Sequence, residues 1–267
     1  MSYIIKPDIF TKKMNILIYG DPGVGKTHLA GTAQDHKGMA NVHVFNIDGG
    51  MMTLAQRGDI RASDVSSLEQ LEEEMYKIAN KDPEYEGVNT IVIDNITELQ
   101  TINLESIIRE EIRLSRKGGS SRTKRESLDE VFIDDYGKST KQLARILRGF
   151  RDLPLHKIYI AHKSDKLRKG TQTVDESKPS LTNKLGTAVA GYMDFVWYLY
   201  VDAAEEKDES GQAMFVNHRY LLTQPYSNYL CKTRGEEFAE ALGMVVQDPN
   251  LAEIYDLYLK VSGLSDN

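Results

Sequence analysis

The stretch Gly20-Asp21-Pro22-Gly23-Val24-Gly25-Lys26-Thr27 decides the reading of this chain. It matches G-x-x-x-x-G-K-[ST], the loop that cradles phosphates between a strand and a helix. In front of it stands Met14-Asn15-Ile16-Leu17-Ile18-Tyr19, an apolar run of strand length. Behind it, His28-Leu29-Ala30-Gly31-Thr32-Ala33 reads as a first helical turn. Glycines let backbone N–H groups curl around phosphate oxygens, and the helix start adds partial positive charge. The pattern assigns nucleotide contacts to Gly20, Asp21, Pro22, Gly23, Val24, Gly25, Lys26, Thr27 and His28. Lys26 reaches the β- and γ-phosphates and the Thr27 hydroxyl ligates Mg²⁺. A glycine-rich turn ahead of an ordinary helix is the plainer alternative, but all four defining positions are present in the required context. The stretch predicts a nucleoside triphosphate site.

Outward from this loop, the chain alternates strands and helices. Asn41-Val42-His43-Val44-Phe45-Asn46-Ile47-Asp48 reads as a second strand ending in an acid and followed by Gly49-Gly50. Val65, Leu68, Leu71, Met75, Ile78 and Ala79 recur at helical spacing. Val88-Asn89-Thr90-Ile91-Val92-Ile93-Asp94 is apolar almost throughout, as a strand buried on both faces of a parallel sheet requires. A helix follows with Ile96, Leu99, Ile102, Ile107 and Ile108 inward, then another near 138–151. Lys157-Ile158-Tyr159-Ile160-Ala161-His162 reads as a further buried strand. Such alternation predicts an α/β fold with a mostly parallel, doubly wound sheet flanked by helices. Residues 163–184 are polar and basic and read as a loop. Strands near 195–202, 214–223 and 228–233, the first two joined by an acidic turn at 203–212, add antiparallel pairing near the C-terminus. Helices near 236–245 and 250–261 close the chain. A single domain over residues 1–267 is expected, with its core at about 12–235 and C-terminal helices at 236–261.

Composition narrows the classes. A chain of 267 residues buries a sizeable core. The longest apolar run, at 195–201, is strand-sized, so no membrane span and no membrane partner are expected. The first residues lack the apolar core of a signal peptide. Cys231 stands alone, which leaves no disulfide framework and no cysteine metal site and suits a cytoplasmic location. The net charge of −7 argues against a uniformly basic nucleic-acid coat but leaves room for local patches.

Three groups beyond the loop are candidates for chemistry. Asp94, ending a buried strand, stands where a carboxylate helps hold Mg²⁺ beside the loop hydroxyl; its alternative is to cap the helix that starts at Asn95. Hydrolysis also needs a group that orients and deprotonates water. Asp48 and Glu98 are the two candidates, each with a surface or capping role as the alternative. His162, at a strand end, is placed to contact the γ-phosphate or the water, or else to bond a neighbour. His162-Lys163-Ser164-Asp165 differs from the guanine-reading N-K-x-D pattern at its first position. Asp94-Asn95-Ile96-Thr97 also lacks the glycine of D-x-x-G, so GTP preference is not expected.

Two basic segments stand out. Arg113, Arg116, Lys117, Arg122, Lys124 and Arg125 flank Gly118-Gly119-Ser120-Ser121 with no acid among them, and Lys163, Lys166, Arg168 and Lys169 begin the second. Both follow strands at the end of a parallel sheet where ligands bind. Flexible basic loops there track a nucleic-acid backbone through salt-sensitive phosphate contacts; the alternatives are solvated loops, or one cation reaching a neighbouring subunit's nucleotide. Aromatic side chains for base stacking are scarce in both.

Taken together, Gly20-Asp21-Pro22-Gly23-Val24-Gly25-Lys26-Thr27, Ile91-Val92-Ile93-Asp94, Ile160-Ala161-His162 and the run from Leu185-Gly186-Thr187 through Met193-Asp194-Phe195-Val196-Trp197 resemble the phage-encoded RecA-like P-loop ATPases. These are grouped with phage single-strand annealing recombination proteins. The resemblance covers about residues 12–235. It implies a RecA-like core that binds ATP and Mg²⁺, acts on single-stranded DNA in strand annealing, and works in the cytoplasm of a bacterial host. It also implies homo-oligomers with ATP at subunit interfaces and a phage or host single-strand DNA-binding protein as partner. By this analogy 114–135 and 163–184 take the places of the two DNA-binding loops: Arg116, Lys117, Arg122, Lys124, Arg125, Lys166, Arg168 and Lys169 are the DNA candidates. Lys163, Lys166 and Arg168 are the candidates for completing a neighbour's site. The chain departs from the pattern where such enzymes carry a catalytic Glu after the second strand, having Asp48-Gly49-Gly50 instead. His162 replaces their Gln, and no Phe- and Ala-containing tether is evident near the N-terminus. A nucleotide-gated loader or assembly switch without DNA contact, and a P-loop kinase with 163–184 as its lid, are the competing functions.

Overall fold

The structure, a computed structural model, describes residues 13–116, 127–207 and 212–264. The first strand, β1 (Asn15–Gly20), is buried along its whole length and runs into the phosphate loop. It is followed by α1 (Lys26–Gly31), which a 3-10 turn at Thr32–Asp35 continues. Next come β2 (Val42–Asn46), β3 (Arg61–Asp64), α2 (Leu68–Ala79), β4 (Thr90–Asp94), α3 (Ile96–Arg116) and α4 (Ile133–Arg151). β5 (His156–Leu167), β6 (Val174–Pro179), α5 (Asn183–Tyr192), β7 (Phe195–Lys207) and β8 (Ala213–Leu222) continue the chain. β9 (Lys232–Thr233), α6 (Glu236–Leu242), β10 (Val245–Gln247) and α7 (Leu251–Val261) end it.

Among the described residues these strands form one 10-stranded sheet with the order β10-β8-β7-β1-β5-β4-β2-β3; β6 pairs with β5 and β9 with β7. The neighbours from β7 through β3 are all parallel. The pairs β7·β8, β8·β10, β7·β9 and β5·β6 are antiparallel. This is the mostly parallel sheet flanked by helices, with antiparallel strands near the C-terminus, that the alternation of elements predicts.

Side-chain alternation along β1 shows why both faces must be covered. Leu17 and Tyr19 enter a core built with α2, α3, α4 and α5, where Leu71, Leu99, Leu143, Phe150 and Val189 meet. Ile16 and Ile18 enter the opposite core, where Leu29 of α1 meets Phe238 of α6 and Leu251, Ile254 and Tyr255 of α7. The C-terminal helices therefore wall one face of the central sheet.

The structure corrects several expectations. Residues 163–184 are not one loop: β5 continues to Leu167 and returns as β6, with Lys166 opposite Glu176 and a register shift between Lys166 and Leu167. Backbone pairing and cross-strand charge pairs sustain this hairpin without apolar alternation, which hid it from the sequence. The first half of the expected acidic turn, 203–207, continues β7 as strand, with Ala203 opposite Asn217 and Lys207 opposite Ala213. A two-stranded ribbon reaching beyond the core needs no buried face, so its polar residues carried no strand signal. The strand expected at 228–233 is only β9, and β3, β10 and α5 were not foreseen. The helix near 138–151 begins earlier, at Ile133.

Candidate functional site

Parallel strands end in step, and the site is built from those ends. In register, Gly20 of β1 lies beside His162 of β5, and Asn46 of β2 beside Asp94 of β4. Because β5 lies between β1 and β4, His162 stands between the phosphate loop and Asp94. A cavity of about 430 Å³ opens there, lined on the loop side by Pro22, Gly23, Gly25, Lys26, Thr27 and His28. Asp48, Gly50, Thr53, Asp94, Asn95, His162 and Arg219 complete the lining.

The loop's conformation follows from its glycines. Gly25 has φ 98°, a left-handed backbone that a side chain strains, and it caps the start of α1. Lys26 is buried, and its Nζ donates to the carbonyls of Gly20 (3.1 Å) and Asp21 (2.8 Å). Burial lowers its pKa, opposed by the nearby carboxylates of Asp94, Asp21 and Asp48. A desolvated ammonium held over the loop is a strong partner for an incoming phosphate.

The Thr27 hydroxyl donates to Asp94 Oδ2 at 2.5 Å. Burial pushes the Asp94 carboxyl up to about 6, an effect that the Thr27 hydrogen bond and Lys26 oppose and the Asp48 carboxylate reinforces. The alternative of a capping role falls to its neighbour: Asn95 Oδ1 accepts from the Glu98 N–H at 2.8 Å at the start of α3. A hydroxyl and a carboxylate in contact are hard oxygen donors of the kind Mg²⁺ takes together with phosphates and water. Thr27 and Asp94 are the residues that would hold it, and the ion would neutralise phosphate charge. Among the described residues no cluster of three or more His, Cys, Asp or Glu forms a separate metal cage.

The two candidate bases are placed differently. Asp48 lines the cavity, its Oδ2 accepting from Asn95 Nδ2 at 2.7 Å and its Oδ1 from the Gly50 N–H at 3.0 Å. Glu98 is absent from the lining and sits in the first turn of α3. Asn95 Nδ2 also lies 3.3 Å from His162 Nε2, so one amide ties Asp48 to His162. Burial and the Lys26 charge lower the His162 pKa, which favours the neutral ring.

Of the remaining candidates, Lys163 is held within its own chain, 3.2 Å from Asp21 of the phosphate loop and 3.1 Å from Asp165. Burial works against its charge, but those two carboxylates raise its pKa. That is a different place from the outward finger expected of it: β5 brings it level with the loop one residue past His162. Lys166, Arg168 and Lys169 are exposed around the β5–β6 turn, with Arg168 3.7 Å from Asp175. Arg116 ends α3, while Lys117, Arg122, Lys124 and Arg125 lie outside the described residues.

The sequence reading missed Gly50, Thr53, Asn95 and Arg219. Asn95 adjoins Asp94 and was read only as the start of the following helix. Arg219 carried no signal, standing in a polar strand far along the chain, yet its Nε lies 3.3 Å from the Val24 carbonyl.

A phosphate loop between β1 and α1, with a buried lysine and a hydroxyl at the start of α1 bonded to the carboxylate that ends β4, defines a P-loop nucleotide-binding protein. The family model of the AAA domain matches residues 12–235, and the chain belongs to that family of P-loop ATPases. No curated protein matches the chain. Among the described residues no helix is long and apolar enough to cross a membrane.

Proposed function

We propose that this protein is a Mg²⁺-dependent ATPase whose nucleotide state controls a basic hairpin that contacts single-stranded DNA. The observation that carries the reading is the continuity of β5: the strand that puts His162 and Lys163 against the nucleotide site runs on without a break into the β5–β6 hairpin. The Ser180 N–H donates to the His162 carbonyl at 2.7 Å, tying the far end of the hairpin back to the site. Phosphate arriving at Lys26 competes for contacts that now hold the loop, Lys163 and the hairpin base together.

In the hydrolytic step Lys26 binds the β- and γ-phosphates and Asp48, oriented by Asn95, takes a proton from the attacking water. Aspartate is one methylene shorter than the glutamate of RecA-type enzymes, which supports a low rate. Lys166, Arg168 and Lys169 supply cations that suit a phosphate backbone. The resemblance to phage RecA-like ATPases supports a place in recombination or strand annealing, with oligomers that share ATP between subunits. The intrachain pairing of Lys163 favours, as the second reading, a nucleotide-gated assembly switch that does not touch DNA.

The test is steady-state ATP hydrolysis with Mg²⁺, with and without single-stranded DNA, beside Lys26→Ala. A rate that rises with DNA and disappears in the variant supports the first reading. A slow rate that depends on Lys26 but ignores DNA, with oligomer size changing on ATP addition, selects the second.

A further inference from the structure

We propose that Arg219 is a nucleotide ligand within its own chain, binding the α- and β-phosphates from the side of the loop opposite Asp94. The inference rests on the nucleotide-site reading above and adds to it a residue outside every motif of the sequence.

The sheet order sets the geometry. β4, which carries Asp94, lies two strands to one side of β1, and β8, which carries Arg219, lies two strands to the other. Adjacent strands are about 4.8 Å apart, so the two residues approach the phosphate loop from opposite flanks, roughly 19 Å of sheet between their strands. The Asp94 flank holds the Thr27 hydroxyl, Asp48, Asn95 and His162, the groups that suit the metal and the terminal phosphate. The Arg219 flank faces the remainder of the nucleotide.

The guanidinium is seated on the loop rather than merely near it. Its Nε donates to the Val24 carbonyl at 3.3 Å, and a Cβ added at Gly25 would stand 2.6 Å from the same nitrogen. The φ of 98° favours glycine at position 25, and the bare Cα leaves room for the arginine packed over it. Among the described residues nothing accepts from the two terminal nitrogens of Arg219. Arg219 lines the same cavity as Lys26 and Thr27. A planar fork of donors suits two phosphate oxygens, which a lysine engages only as a point charge.

The backbone beneath is fixed. Asp248 Oδ1 accepts from the Arg219 N–H at 3.0 Å, the Asp248 N–H donates to the Arg219 carbonyl at 2.7 Å, and His218 Nδ1 lies 2.6 Å from Asp248 Oδ2. Arg219 is thus held both by pairing with β7 opposite Val201 and by Asp248, which lies beyond residue 235 and outside the region that the AAA-domain model matches.

A ligand of the α- and β-phosphates acts on ADP and ATP alike. Titration of wild type, Arg219→Ala and Arg219→Lys with fluorescent ADP and with a non-hydrolysable fluorescent ATP analogue tests this, each protein first checked for an unchanged melting temperature. Arg219→Ala is expected to weaken both nucleotides by about 10- to 100-fold, the worth of charge-assisted hydrogen bonds. Arg219→Lys is expected to recover part of the loss. Affinities within twofold of wild type for both nucleotides, or a loss confined to the ATP analogue, would overturn the proposal. Failure of the wild type itself to bind either nucleotide would instead sink the site reading on which it rests.

Discussion

Asp48, Asn95 and His162 form a short chain of hydrogen bonds in which one side-chain amide serves two partners. Asn95 Nδ2 donates to the Asp48 carboxylate and faces the His162 ring, so replacing it frees both. Asn95→Ala is expected to lower kcat by about 10- to 100-fold while nucleotide affinity changes little, since general-base catalysis contributes on that order and the phosphate contacts are untouched. Asp48→Asn should cost at least as much, and a Glu98→Gln variant that costs more would move the base to α3. Acid sensitivity is also decided by single residues. Burial, aided by the Arg61 charge, holds the His43 pKa down to about 4, well below the ordinary 6.5. The unfolded chain therefore binds a proton that the folded chain refuses between those values. The stability from neutral His43 is fully present above about pH 6.5 and is lost as pH falls toward 4, with a slope of about 1.4 kcal/mol per pH unit. Urea midpoints measured from pH 7 to 4.5 should show His43→Gln losing less with acid than wild type, by about one proton's worth. Parallel curves would show that His43 does not titrate in this way.

At the scale of elements, the β5–β6 hairpin joins the nucleotide site to the exposed cations. Reversing Lys166, Arg168 and Lys169 to Glu leaves the loop contacts of Lys26 and Lys163 in place, so nucleotide affinity should stay within about twofold. Affinity for single-stranded DNA should fall at least tenfold and depend less steeply on salt, because fewer counterions are released on binding. Unchanged DNA binding across a salt series would remove the hairpin from the interface. Strand identity was legible in the sequence where burial on two faces forces apolar runs, as at 90–94 and 15–20. The hairpin and the outer part of the β7–β8 ribbon, at 203–207, were not legible. Their backbones pair with each other while their side chains face solvent, so hydrophobic alternation never arises. The phosphate loop was legible for a different reason: its glycines and lysine are demanded by local backbone geometry and by a charged ligand.

At the scale of the whole molecule, α6 and α7 cover one face of the sheet. Phe238, Leu251, Ile254 and Tyr255 are buried against Ile16, Ile18, Trp197 and Leu199. The region matched by the AAA-domain model is therefore not expected to fold alone. A chain ending at residue 235 exposes that apolar face and should be insoluble or lack a cooperative thermal transition. A less drastic change, Tyr255→Ala, should cost about 3–5 kcal/mol, as large-to-small changes at fully buried aromatic sites do. A soluble, cooperatively melting fragment would show that the central sheet is stable with one face open.

The sequence by itself determined the phosphate loop, the parallel strands around it and the carboxylate at the end of β4, because each depends on short-range patterning. It could not select between Asp48 and Glu98, since each stands at or just past the end of a strand. Tertiary structure brings Asp48 to the cavity lining and bonds it to Asn95, while Glu98 sits in the first turn of α3 outside that lining. Tertiary structure alone also turned Lys163 onto its own loop, made a hairpin of a polar segment, and carried Arg219 to Val24 across 195 positions of chain. Such contacts arise from strand order in the sheet, which no local pattern encodes.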